Sequence, residues 1–150
     1  MKKRVSAMIR EAERAIEWDC AQVLTRFFNY FDQWRYEDMA DLFAPDGVWH
    51  RQGQALQGRA AILAALAERS TTQRVRHVVT NLQIDVVDPD TAASLLYVTA
   101  YRHDSGAKQT EPPRIRAPYL LLVVPGRLRR TDAGWRILHM EMNREFEFES

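Results

Sequence analysis

Apolar residues in the first part of the chain recur at helical spacing. Ile9, Ala12, Ile16, Cys20, Val23, Phe27 and Phe31 are separated by steps of three and four, and Leu24 and Phe28 widen the stripe. The spacing predicts one long amphipathic helix over 7–35, bent near Trp18. Met39, Leu42 and Phe43 suggest a short second helix over 37–44, stopped by the turn formers Pro45-Asp46-Gly47. Val48-Trp49-His50-Arg51 reads as a short strand. Gly58 precedes a third helix over 59–69, with Ile62, Leu63 and Leu66 on one face.

After residue 70 the period changes. Four β-rich runs follow, over 74–87, 92–103, 115–128 and 135–148. They are broken at Asp88-Pro89-Asp90, around Ser105-Gly106 and Pro112-Pro113, and at Thr131-Asp132-Ala133-Gly134. Short connections favour antiparallel hairpins. Helices first and strands after is the α+β order, with helices on one side of an antiparallel sheet. No repeat or linker interrupts the chain, so one domain over 1–150 is expected. Tyr119-Leu120-Leu121-Leu122-Val123-Val124 is apolar on both faces. One face should meet the helices and the other should be covered by a second subunit, because large apolar patches are uncommon on monomers. A homodimer is expected, with a trimer as the alternative.

Composition narrows the classes. The 21 basic and 20 acidic side chains leave a net charge of +1, without the one-sided basic stripe of a nucleic-acid binder. The one cysteine, Cys20, excludes an intrachain disulfide and suits a reducing compartment. Lys2-Lys3-Arg4 is followed by Glu11, Glu13 and Arg14 rather than by an apolar stretch, so no signal peptide is read. No run reaches the ~20 apolar residues of a membrane span. A cytoplasmic protein without membrane or nucleic-acid partners is expected.

Two residues could carry chemistry. Asp32 closes the long apolar stripe beside Phe27, Phe28 and Phe31, where an unpaired carboxylate is costly to bury. It is either a helix-end residue that reaches water or a functional acid. His77 lies in Arg74-Val75-Arg76-His77-Val78-Val79-Thr80-Asn81-Leu82. Strict alternation puts His77 on the face of Gln83 and Asp85, opposite Leu82, Ile84 and Val86. Only a bulge, or a sheet covered on both faces, would bring it to the helices. A carboxylate bonded to one imidazole nitrogen fixes the tautomer and stabilises the imidazolium. Periodicity alone does not bring the two together. Trp49 is either pocket lining or core, and Arg102 either a contact for a substrate oxygen or a surface residue. His50, Arg51 and His103 show no metal-ligand spacing with any carboxylate, and no Gly-rich phosphate loop is present. Neither a metal nor a cofactor is expected.

Four stretches carry a resemblance. They are Phe31 to Gly47 (FDQWRYEDMADLFAPDG), Gly58-Arg59-Ala60-Ala61-Ile62, His77-Val78-Val79-Thr80-Asn81-Leu82, and Thr131-Asp132-Ala133-Gly134-Trp135-Arg136-Ile137. In this order the set resembles the nuclear transport factor 2-like superfamily, and within it the SnoaL-like group. The resemblance implies a cone-shaped, cystatin-like domain with three helices in the concave side of a strongly curved antiparallel sheet. The chain also resembles the scytalone dehydratases and hexachlorocyclohexane dehydrochlorinases, which use an Asp–His pair for β-elimination. Their aspartate falls on Asp32 and their histidine on His77. The dehydrochlorinase lysine is Phe27 here, the dehydratase's second histidine falls near Arg102, and its tyrosine before the aspartate is Phe31. The resemblance therefore implies a cofactor-independent lyase or isomerase. His77 and Asp32 would abstract a proton from a small apolar, cyclic or polyketide-like ligand, which Trp49, Phe27, Phe28, Phe31 and Arg102 would hold. The alternative is a non-catalytic ligand-binding or assembly module resembling the β subunits of aromatic-ring-hydroxylating dioxygenases.

Overall fold

The computed structural model describes residues 1–149. Its elements are α1 (Lys2–Asp32), α2 (Tyr36–Ala40), β1 (Phe43–Arg51), β2 (Gln54–Gln57), α3 (Gly58–Ala67), β3 (Arg74–Asp88), β4 (Thr91–His103), β5 (Leu120–Thr131), β6 (Gly134–Glu141) and β7 (Asn143–Glu147). The strands form one seven-stranded sheet in the order β2-β1-β6-β5-β4-β3, and β7 pairs with β5. Neighbours are antiparallel except β1 and β6, which run parallel. The sheet is curved and open, and the N-terminal helices pack on it.

The stripe of α1 is its buried face from Ile16 onward: Ile16, Cys20, Val23, Leu24, Phe27, Phe28 and Phe31. Against it lie Leu96, Val98, Leu122, Val124, Ile137 and Met140 from the strands. Burying each such large side chain stabilises by about 1.5–3 kcal/mol. Before Ile16 the helix stands free of this cover, and Val5, Met8 and Ile9 are exposed. Trp34 ends the helix by taking a left-handed φ of 57°. Arg35 N–H then donates to the Tyr30 carbonyl at 2.9 Å, which satisfies one of the last free carbonyls. Asp32 is thus the last helical residue.

Several boundaries differ from the sequence expectation. The second helix stops at Ala40, and β1 already begins at Phe43. Pro45-Asp46-Gly47 lies within β1 and forms no terminating turn. The strand bulges between Phe43 and Val48 to accommodate it, while Phe43 pairs with Ile137. A Cβ on Gly47 would sit 2.7 Å from the Ile137 carbonyl oxygen, so glycine is what permits this approach. β2 had no sequence signal. The third run starts as a strand at Leu120, beyond Pro112, Pro113 and Pro118. The last run divides at Met142, whose N–H donates to the His50 carbonyl at 3.1 Å.

The largest difference is in β3. Its register with β4 shifts between Thr80 and Gln83, and Asn81 there has φ 53°. Val75, His77 and Val79 face the helices before the bulge, and Leu82, Ile84 and Val86 face them after it. The strict alternation that put His77 opposite Leu82 is corrected by this one extra residue.

Candidate active site

Asp32 and His77 meet between the end of α1 and the first half of β3. The Asp32 carboxylate takes two hydrogen bonds from the same residue. Its Oδ1 is 2.5 Å from His77 Nδ1, and its Oδ2 accepts the His77 backbone N–H at 2.8 Å. The side chains are 8% and 7% exposed. An ionised carboxylate can only accept, so in the neutral ring the proton sits on Nδ1 and Nε2 holds the lone pair. Among the described residues Nε2 has no hydrogen-bond partner, and it retains solvent access. The ring stacks on Phe31 at 4.9 Å with planes 12° apart, and Phe28 lies 5.4 Å away. Two bonds from Asp32 and these aromatic contacts fix its orientation.

His77 lines a cavity of about 820 Å³, within the usual size range of small-molecule sites. Phe31, Val75, Ala100, Leu120 and Leu122 form a buried apolar floor. The walls differ from the apolar pocket expected, because Arg51, Arg69, Arg102 and Arg144 all line the cavity. Of the residues expected to hold a ligand, Phe31 and Arg102 reach it. Arg102 is exposed at the edge, its guanidinium carbon 3.8 Å from the centre of the Tyr119 ring. Phe27, Phe28 and Trp49 lie behind the wall, at most 1% exposed. They make an aromatic cluster, with Trp49 5.4 Å from Phe27 and 5.7 Å from Phe31 between ring centres. Trp49 Nε1 is the one buried side-chain polar atom without a partner among the described residues.

Sequence reasoning missed Arg51 and Arg69. Arg51 ends β1 and Arg69 follows α3, and both are half-buried. Burial first, then the nearby charge of Arg69, holds the Arg51 guanidinium below its ordinary value. Burial does the same to Arg69, opposed by Tyr36 and more weakly by Asp32. The available signal was Arg51 two residues after Trp49 in the predicted short strand, and Arg69 one turn beyond Leu66. No group of His, Cys, Asp and Glu among the described residues could hold a metal ion. No described helix is long and apolar enough to cross a membrane.

The profile of the SnoaL-like domain matches residues 12–141. The chain belongs to the SnoaL-like family. This places the protein in the nuclear transport factor 2-like superfamily. Three solved structures show the same fold. A Novosphingobium aromaticivorans protein provisionally assigned as a scytalone dehydratase is 16% identical, with a TM-score of 0.78 over 94% of this chain and 93% of that one. A second protein of that organism, described as NTF2-like with a cystatin-like fold, is 22% identical, with a TM-score of 0.73 over 95% and 89%. A type 2 hexachlorocyclohexane dehydrochlorinase is 14% identical, with a TM-score of 0.76 over 93% and 91%. No curated protein matches this SnoaL-like chain in sequence.

Proposed function

We propose that this SnoaL-like protein is a cofactor-independent lyase or isomerase in which His77 is the general base and Asp32 its positioning partner. The observation that carries the reading is the doubly bonded Asp32–His77 pair beside the cavity, with Nε2 left free. Nε2 takes a proton from a substrate carbon. The C–H electron pair then forms a double bond, and either a leaving group departs from the next carbon or the proton returns elsewhere. Asp32 stabilises the imidazolium formed in between. Two solved structures of the same fold bear the names of a dehydratase and a dehydrochlorinase, which fits elimination chemistry.

The test is solvent-deuterium uptake and loss of water or halide, followed by mass spectrometry over small cyclic ketones, β-hydroxy ketones and chlorinated cyclohexanes. His77→Ala should reduce turnover by about 10²–10⁴-fold, the usual worth of a positioned base. Turnover unchanged in that variant would exclude the mechanism and favour a binding or assembly role.

The working unit we propose is a homodimer formed on the outer face of the sheet. Strand register aligns Val78, Thr99, Leu121 and Phe146 across β3, β4, β5 and β7. Tyr97 and Tyr101 flank this row on β4, at 37% and 36% exposure. A row of this kind, apolar apart from Thr99, fits a self-complementary contact.

A further inference from the structure

Arg51 and Arg69 converge on Phe31, the ring that also stacks on His77. The Arg69 guanidinium carbon lies 4.2 Å from the ring centre and that of Arg51 5.7 Å. The other two cavity arginines have neighbours of their own. Arg144 pairs with Glu147 at 2.5 Å, and Arg102 lies over Tyr119, near enough to Asp104 for their charges to interact. Arg51 and Arg69 form no ion pair among the described residues. Their one side-chain hydrogen bond among the described residues is from Arg69 Nη1 to the Tyr36 hydroxyl, at 2.6 Å. Two acids share the cavity, Glu68 and Asp104, and both are exposed. Asp104 accepts from Thr72 Oγ1 at 2.7 Å and from Gly106 N–H at 3.0 Å.

Two like charges are therefore drawn partly out of water and oppose one another, neither in an ion pair among the described residues, while the acid whose charge reaches Arg69, Asp32, already accepts two bonds from His77. That arrangement is unfavourable in the empty cavity and is relieved by an anionic ligand. A guanidinium is planar, keeps its charge, and matches an oxyanion with paired N–H donors.

We propose that Arg51 and Arg69 form an anion-binding pair, and that the cavity takes a small planar molecule carrying a carboxylate. This stands on the arginines and the cavity alone; that the molecule is also a substrate rests on His77 acting as a base. The apolar floor takes the carbon skeleton, so the ligand is amphiphilic rather than wholly apolar.

Calorimetry with 2-naphthoate and its neutral isostere 2-naphthamide tests the pair without any turnover. Wild type should bind the carboxylate about 10-fold or more tighter than the amide, and less so at high salt. Arg51→Gln and Arg69→Gln should each remove about 10-fold of carboxylate affinity and leave the amide unaffected. Neither probe can turn over, so the binding result is read independently of whether His77 acts as a base. Equal affinity for the two probes, no carboxylate binding by wild type, or full affinity in both glutamine variants overturns the proposal. Should a glutamine variant unfold, the Nε–H NMR signals of Arg51 and Arg69 in wild type decide the matter. They should shift as 2-naphthoate is added, and unmoved signals overturn the assignment.

Discussion

At the scale of single residues, Asp32 holds both the ring and the main chain of His77. Removing the carboxylate leaves two donors unpaired where the surroundings are nearly dry. Asp32→Ala should therefore lower stability by about 1–3 kcal/mol, read from the denaturant midpoint. Asp32→Asn separates holding from orienting. One amide oxygen can still accept the backbone N–H, while the amide NH₂ turns toward the ring and calls for an acceptor there. The neutral imidazole should then carry its proton on Nε2, visible in its ring ¹⁵N shifts, and the variant should be folded but inactive. A folded Asp32→Asn protein with an unchanged tautomer and wild-type turnover would remove Asp32 from the mechanism.

At the scale of elements, the bulge of β3 decides which way His77 faces. Asn81 holds the left-handed conformation that asparagine and glycine adopt most easily. Asn81→Gly should leave the melting temperature nearly unchanged. Asn81→Val should cost about 1–3 kcal/mol, because a β-branched side chain resists that φ; thermal melts of the two variants check the difference. The rim of the cavity depends on acid-sensitive bonds. Hydrogen bonds from Ser70 and Thr72, then from the Gly106 N–H, hold Asp104 down to about 2. A depressed carboxylate stabilises the folded form above its unfolded value and loses that contribution as pH falls through the folded one. Between about pH 4 and pH 2, the link from Thr72 to the 104–106 turn should loosen. The protection factor of the Gly106 amide, its exchange relative to an unfolded chain at the same pH, should fall there in wild type and be low already at pH 5 in Asp104→Ala.

The long elements were legible because each carries many repeats of one period: the stripe from Ile9 to Phe31, and the runs of β3 and β4. The bulge was not, since alternation read through Asn81 reverses every assignment on one side of it. Val48 to Arg51 read as a strand, but the first half of β1 was hidden by Pro45 and Gly47, which signal a turn locally and are accommodated by the bulged parallel pairing with β6. The arginine pair was not legible either. Arg51 and Arg69 lie on different elements, and only the fold puts both on the Phe31 ring.

At the scale of the whole molecule, the outer row of Val78, Thr99, Leu121 and Phe146 bears on how many chains work together. Light scattering at micromolar concentration should report twice the chain mass. Tyr97→Glu, which places a charge beside that row without touching the cavity, should shift the protein to monomer; a wild-type monomer would contradict the proposed interface. The strand order has a separate consequence for how the chain acquires its shape. β1 is hydrogen-bonded only to β2 and β6, so the early hairpin has no place in the sheet until Gly134–Glu141 exists. During synthesis the apolar side of α1 must wait for strands made much later, and Trp49 waits for Met140, its partner in register. Contacts so distant in sequence make folding slow and leave apolar surface exposed meanwhile. The sequence distance between Phe31 and Arg144, which meet at the cavity, thus leaves the α1 stripe uncovered until most of the chain has been made.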